Sequence, residues 1–168
     1  PIRVKGYTNL WPLWIGITPP DRAKRVIENL ILNEQEFRSP HGIRSLAKSD
    51  RCFNNMRHGT SNPMTGAPQT GPVFQSSCSN WQGPIWVVPN YLCVEILNRY
   101  GYRAEARALA DQVVTFFAER CRDHGGFHEN YHSETGEPLL APGIITWNLL
   151  LAWLHRHLEG SLFGEVDG

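Results

Sequence analysis

Neither sign of charge is in excess: 16 Lys plus Arg stand against 16 Asp plus Glu. With no basic cluster and no acidic tail, the footprint of a nucleic-acid or anionic-membrane binder is missing. No apolar run approaches the ~20 residues of a membrane-spanning helix. The four cysteines, Cys52, Cys78, Cys93 and Cys121, make no C-x-x-C pair, which argues against a cysteine zinc site or a disulfide framework. Reduced, mostly buried thiols and a cytoplasmic location are the expectation. No stretch alternates convincingly at period two, and no repeat recurs at fixed spacing. The chain opens at Pro1 in mid-pattern, so a missing signal peptide says nothing if the true N-terminus lies upstream. What is present is ordinary globular material, 168 residues with 41% hydrophobic and 11% aromatic content, enough for one domain with a sizeable core. The expected partner is a neutral small molecule, not nucleic acid or membrane.

Four segments carry the 3.6-residue period. In "TPPDRAKRVIENLIL", Thr18 can cap the helix, and Ala23, Val26, Ile27, Leu30 and Ile31 share a face. "VPNYLCVEILNRYGY" places Leu92, Ile96, Leu97 and Tyr100 on one stripe and Gly101 at its end. "RAEARALADQVVTFFAERCRDHGG" turns Ala106, Leu109, Ala110, Val113, Val114 and Phe117 inward and stops at Gly125 and Gly126. "ITWNLLLAWLHRHLEG" is apolar nearly all round and reads as a buried helix, with Trp153 in the core. The short link at Gly101 implies an antiparallel helical hairpin. Residues 33–84, rich in Gly, Pro, Ser and Asn, have little periodicity, and so long an irregular stretch in a compact domain is functional or flexible. Helix pairs joined by long loops suggest an all-α toroid or solenoid whose loops gather at one end.

"HENYH", His128 to His132, fits the H-E-x-x-H pattern in which two histidines hold zinc and the glutamate is a general base. A zincin needs both histidines on one helical face. Here "HGGF" precedes the string and "SETGEP" follows it, so glycines and a proline oppose a helix on both sides, and a loop is expected. The downstream G-x-x-H of the metzincins is also missing. Glu159 is the one conceivable distant ligand. No metal and no cofactor is expected.

Three blocks, "LWPLWIGITPPDRAKRVIENLILNEQEFRSPHGIRSLAKSD", "SNWQGPIWVVPNYLCVEILNRYGY" and "GGFHENYHSETGEPLLAPGIITWNLLLAW", cover almost the whole chain. Together they resemble the C-terminal part of the catalytic domain of family 63 glycoside hydrolases and their bacterial trehalase-like and mannosylglycerate/glucosylglycerate hydrolase relatives. The most specific features are W-x-G-P-x-W followed by N-Y-L, and H-E-x-Y-x-x-x-T-G-E before an aromatic helix start. The resemblance implies an all-α fold, helical hairpins of an (α/α)6 toroid, with residues 1–168 forming a single partial domain of it. It implies an inverting α-glycosidase acting on an α-glucoside or α-mannoside, such as a trehalose-like, glucosylglycerate or oligosaccharide substrate. On the motif match, Glu129 is the general base. Trp81, Gln82, Gly83, Pro84 and Trp86 border the sugar subsite, although many relatives carry Arg in place of Gln82.

The chemistry of the residues agrees. An inverting site needs two carboxyl groups ~6.5–9.5 Å apart with water beside the base, and His128 and Tyr131 can hydrogen-bond around Glu129. Trp81, Trp86 and Trp147 are flat apolar surfaces of the kind that sugar rings stack on. Trp86 and Trp147 stand at helix starts, where site wall and core packing are both open. Tyr91 reads as structural, and Asn90 as a helix cap or a loop brace. Asp21 fits the first turn of a helix and Asp50 a loop, so neither suits the general acid.

In the family that acid lies upstream, in a segment reading roughly S-G-x-D-x-S, and no such string occurs here. About a third of the helices of such a barrel are present in this sequence. The chain alone is therefore expected to lack half of its acid/base pair and to expose apolar helix faces, "ITWNLLLAWL" above all. Those faces would meet the missing N-terminal part of the barrel or another copy. A non-catalytic sugar-binding or truncated relic protein of the same fold is the alternative.

Overall fold

A computed structural model of the chain describes residues 4–56 and 80–159. Cys78 and the middle of the 33–84 stretch lie outside the described residues. Five α-helices and two small hairpins make up the described part: α1 Trp11–Trp14, α2 Pro20–Val26, β1 Arg38–Ser39, β2 Gly42–Ile43, α3 Val87–Arg99, α4 Arg103–His124, β3 His128–Tyr131, β4 Pro138–Pro142 and α5 Leu150–Glu159.

The centre is the α3–α4 hairpin with α5 packed against both helices. Its sequence logic is direct. Leu92, Ile96 and Leu97 meet Ala106, Leu109, Ala110, Val113 and Phe117 in one buried cluster, all 5% exposed or less. Tyr100–Tyr102 turn the chain, with Gly101 at φ 85°, and Gly125 closes α4 in the left-handed conformation at φ 71°. The stripe Ala23, Val26, Ile27, Leu30 and Ile31 also packs inward, although the helix over this stretch is not uniform. It is α-helical to Val26 and then widens into a π-helical turn, Ile27–Ile31.

Several expectations are corrected. Thr18 does not cap α2. Pro19 occupies that position without a side-chain bond, while the Thr18 carbonyl accepts the Tyr100 hydroxyl at 3.1 Å. The last helix is not buried all round: within α5 only Leu154 is fully enclosed, and Trp153 is 44% exposed. One face docks on α3 and α4, and residues apolar on the other faces have no described neighbour to cover them. Ile145, Leu149 and Trp153, four residues apart, are all exposed. HENYH is not a loop either. His128–Tyr131 is a strand paired antiparallel with β4, with an irregular register at Asn130/Tyr131. Four residues with a bulge are too few to show alternation. The partner strand begins and ends on prolines, Pro138 and Pro142, which a two-stranded ribbon accepts because its outer edge needs no donor.

The hairpins are tied to the helices by buried polar side chains. Asn90, fully buried on α3, is a brace and not a cap: its Oδ1 accepts the Ile43 N–H at 2.7 Å and its Nδ2 donates to the Trp86 carbonyl at 2.6 Å. Arg44 is 1% exposed. Its Nη1 donates to the carbonyls of Glu34, Glu36 and Arg38, and its Nε and Nη2 both reach Glu134 Oε1, at 3.2 and 2.7 Å. Burial works against the Glu134 carboxylate, but Arg44 and Lys48 prevail and hold it below the ordinary glutamate range. A folded-state value below the unfolded one adds stability above the unfolded value, and that stability is lost as pH falls through the folded one. Glu134→Ala should therefore cost about 2–3 kcal/mol at pH 7, less than a fully buried pair because the Glu134 side chain is 35% exposed. The wild-type melting temperature should fall faster than the variant's from about pH 4.5 downward. Parallel acid titrations of the two melting curves would contradict this.

Candidate active site

Both sequence blocks of interest converge through one backbone bridge. Ile85 and Tyr131 exchange both N–H···O bonds, at 2.8 and 3.1 Å, and Arg44 bridges Ile85 from the other side. The W-Q-G-P loop is thereby held between the β2 end and β3. Ser45 fixes it further: its amide donates to the Pro84 carbonyl and its Oγ accepts the Gly83 N–H at 3.1 Å.

Glu129 sits on β3, 6% exposed. Its neighbours keep the strand in place. Tyr131 is fully buried, edge-on to Phe116 and Phe117 of α4, and its hydroxyl accepts the His128 N–H at 2.9 Å. Tyr131 thus sets the strand and offers no surface to a ligand. His128 is half-buried beside the ring of His124. Burial, helped by His124, lowers its imidazole below the ordinary histidine range, so it is neutral at neutral pH.

The tryptophans come together. Trp81 stacks on Trp86 at 3.6 Å between ring centroids and 12° between planes, and Trp147 meets both, at 6.2 and 5.9 Å. Trp86 is fully buried with its indole N–H on the Asn80 carbonyl at 2.9 Å, so it is the wall behind Trp81. Trp81 and Trp147 stay half-buried. The Trp147 turn is tied to β3 by Asn148, whose Nδ2 donates to the His128 carbonyl at 3.2 Å. Gln82 lies beside this wall and accepts Asn54 Nδ2 at 3.1 Å. Gly83 is buried beneath it.

The zinc arrangement is not formed. Four residues along an extended strand separate two histidines by on the order of 13 Å, and His132 Nδ1 accepts the backbone N–H groups of Glu134 and Thr135. Glu159 is exposed beside His155. Among the described residues no three His, Cys, Asp or Glu side chains are grouped to hold a metal ion. Neither aspartate gains an acid's setting: Asp21 is exposed in the first turn of α2, and Asp50 accepts the Lys5 and Cys52 amides. Cys93, fully buried, has its thiol pushed up to about 12 by burial, and Cys52, Cys93 and Cys121 are all unpaired.

Unsatisfied polar atoms concentrate at the same place. Among the described residues, five of the eight buried side-chain N or O atoms without a partner belong to His128, Asn130, Trp147 and Asn148. Buried polar atoms of this kind are where water or a ligand group would bond. Residues that sequence reasoning does not single out also belong here. Tyr7 stacks on Trp81 at 5.5 Å, while Asn54 and Asn80 brace the loop and Asn55 bonds Ser133, just after β3. The only hint of these asparagines is their abundance in the aperiodic stretch.

The helical hairpins have the fold of (α/α)6-barrel glycoside hydrolases, as the solved structures on which the chain superposes show. In particular, this chain belongs to the family described as the mannosylglycerate hydrolase MGH1-like glycoside hydrolase domain, which matches residues 1–143. A probable mannosyl-oligosaccharide glucosidase of Schizosaccharomyces pombe is 30% identical over 90% of this chain, and the mannosylglycerate hydrolase of Rubrobacter radiotolerans is 35% identical over 54%. The chain spans only 18% and 19% of the length of these two curated relatives. The GH63 mannosylglycerate hydrolase of Thermus thermophilus, solved with glucose, superposes with a TM-score of 0.65 at 22% identity, over 93% of this chain and 32% of that one. The neutral trehalase of Saccharomyces cerevisiae superposes at 0.62 and 18%, over 94% and 24%.

Proposed function

We propose that this chain supplies the general base and part of the sugar subsite of an inverting glycoside hydrolase acting on an α-linked glucoside or mannoside. The observation that carries the reading is Glu129, enclosed on a strand that the Ile85 bridge joins to the Trp81–Trp86–Trp147 wall. In the reaction, Glu129 takes a proton from water as the water oxygen attacks the anomeric carbon. A carboxylic acid on the opposite face of the sugar, contributed from outside this chain, protonates the departing oxygen. Trp147 and the part of Trp81 left open between Tyr7 and Trp86 line the apolar side of the sugar, and Gln82 and His128 present polar edges to its hydroxyl groups. The relatives' names, a mannosylglycerate hydrolase and a mannosyl-oligosaccharide glucosidase, support a mannoside or a glucoside as the substrate class.

The subsite is testable on this chain alone by titrating it with D-glucose or D-mannose and following tryptophan fluorescence and heat release. Saturable millimolar binding that weakens about tenfold in Trp81→Ala is expected, in line with the loss of one aromatic platform. Binding that Trp81→Ala leaves unchanged would remove Trp81 from the subsite. A second reading is a sugar-binding protein of the same fold without turnover, with which the setting of Asp21 and Asp50 is equally consistent. It predicts the same binding, and hydrolysis would remain absent after the upstream part of the barrel is supplied.

The exposed row Ile145, Leu149 and Trp153 is proposed to seat apolar helices from the rest of the barrel. Replacing Leu149 and Trp153 by Lys should abolish self-association of the isolated chain in light scattering. Association undiminished by both charges would exclude this face.

A further inference from the structure

Asn54 and Asn55 are adjacent, yet their side chains go to the two different segments of the site. The Asn54 backbone amide donates to the Gln82 carbonyl at 2.8 Å, and its side-chain Nδ2 reaches Gln82 Oε1 at 3.1 Å. Its Oδ1 accepts Asn80 Nδ2 at 2.8 Å. Asn80 is fully buried, accepts the Gln82 amide through its own Oδ1 at 2.8 Å, and carries the Trp86 indole on its carbonyl. The Asn54 side chain thus governs the W-Q-G-P loop at both ends of Trp81. Asn55 turns to the other segment. Its Nδ2 donates to Ser133 Oγ at 2.9 Å, while its Oδ1 accepts the Ser133 backbone N–H at 3.2 Å and lies 3.0 Å from Ser133 Oγ. Ser133 is fully buried and follows β3, four residues after Glu129.

We infer that the Asn54–Asn55 dipeptide is a positioning element that fixes the Trp81–Gln82 platform against the Glu129 strand. This rests on the proposed role of that site. The physical reason is geometric. The Ile85–Tyr131 bridge joins the backbones of the two segments at one residue pair, and a pair of hydrogen bonds there can act as a pivot for the loop. A second attachment on the far side of that pivot, at Gln82 and at Ser133, removes the rotation. Two adjacent residues are the shortest rigid link available, since their Cα atoms are held at ~3.8 Å by one trans peptide. A base and a sugar platform that shift relative to each other by ~1 Å lose about 10²-fold in rate, so such a link has a function beyond stability.

The experiment compares the full chain with Asn55→Ala, Asn55→Asp and Asn54→Ala. Asn55→Asp keeps the acceptor used by the Ser133 amide and by a donating Ser133 hydroxyl, so it serves as the conservative rescue. Native-state amide exchange is the first readout. In Asn55→Ala, exchange should rise at least about tenfold both at Gln82–Gly83 and across Glu129–Ser133, and return near wild type in Asn55→Asp. Acceleration confined to the residues next to position 55 overturns the inference. Acceleration spread evenly over α3 and α4 also overturns it, because it marks general destabilisation. The second readout is D-glucose affinity, expected to fall about tenfold in Asn55→Ala and Asn54→Ala when measured well below the melting temperature of each variant. Failure of the wild-type chain to bind sugar would sink the subsite reading, while the exchange result still decides whether the dipeptide couples the two segments.

Discussion

Glu129→Gln, in a polypeptide that carries this segment together with the rest of the barrel, should lower hydrolysis of an α-linked substrate by about 10²–10⁴-fold, the usual contribution of a general base. The substitution is nearly isosteric. It keeps the volume and the acceptor oxygen of a side chain only 6% exposed, and removes just the capacity to take a proton. KM should therefore move little while kcat falls, as expected for an interaction made in the transition state and not in the ground state. The melting temperature should stay close to wild type, because the substitution keeps the side chain's size and Tyr131 and the β4 pairing also hold the strand. Inversion gives a second, separate check: sugar released from an α-linked substrate should appear first as the β-anomer by proton NMR. Retention of activity in Glu129→Gln would remove the base from position 129, and first appearance of the α-anomer would remove the inverting mechanism.

The parts of the fold that the sequence announced are those with length and period. Leu92 to Tyr100 and Ala106 to Phe117 run over about three turns, so their stripes outweigh local noise, and the left-handed glycines Gly101 and Gly125 end them where no other residue fits as easily. β3 was hidden for the opposite reason. It has four residues, a register shift, and a partner whose terminal prolines read as loop. The apolar wrap of "ITWNLLLAWL" suggested burial, but composition alone cannot say which neighbours exist, and Leu149 and Trp153 remain exposed. At the site, residue type indicated Glu129 and the three tryptophans. Whether Trp86 or Trp147 was wall or core depended on the Trp81–Trp86 stack, a contact no spacing rule predicts. The asparagines at 54, 55, 80 and 148 were illegible because a side-chain amide that braces two distant segments has the same sequence signature as one facing water.

Gly83→Ala should be the most destabilising small substitution in the loop, costing about 3 kcal/mol or more. Gly83 has φ 156°, and a Cβ there would overlap the Asn54 carbonyl oxygen and lie 2.8 Å from the Phe53 ring. The obstacle is backbone, so it cannot swing aside, and relief requires the 53–56 segment to separate from the W-Q-G-P loop. That movement would break the Asn54–Gln82 bonds and the Gly83 amide bond to Ser45. Gly101→Ala is the matched control. Its φ of 85° carries similar backbone strain, but a Cβ meets nothing within 4 Å, so about 1 kcal/mol is expected. For a chain of this size the two should differ in melting temperature by roughly 4–8 °C. Gly83→Ala should also lose D-glucose affinity, through displacement of Trp81, whereas Gly101→Ala should keep it. Equal melting temperatures and equal affinities in the two variants would show that the close approach of Asn54 to Gly83 does not set the platform. The specific content of the W-Q-G-P pattern then becomes physical: the tryptophan supplies the surface, the glutamine the polar edge, and the glycine the absence of a side chain that lets Asn54 reach both.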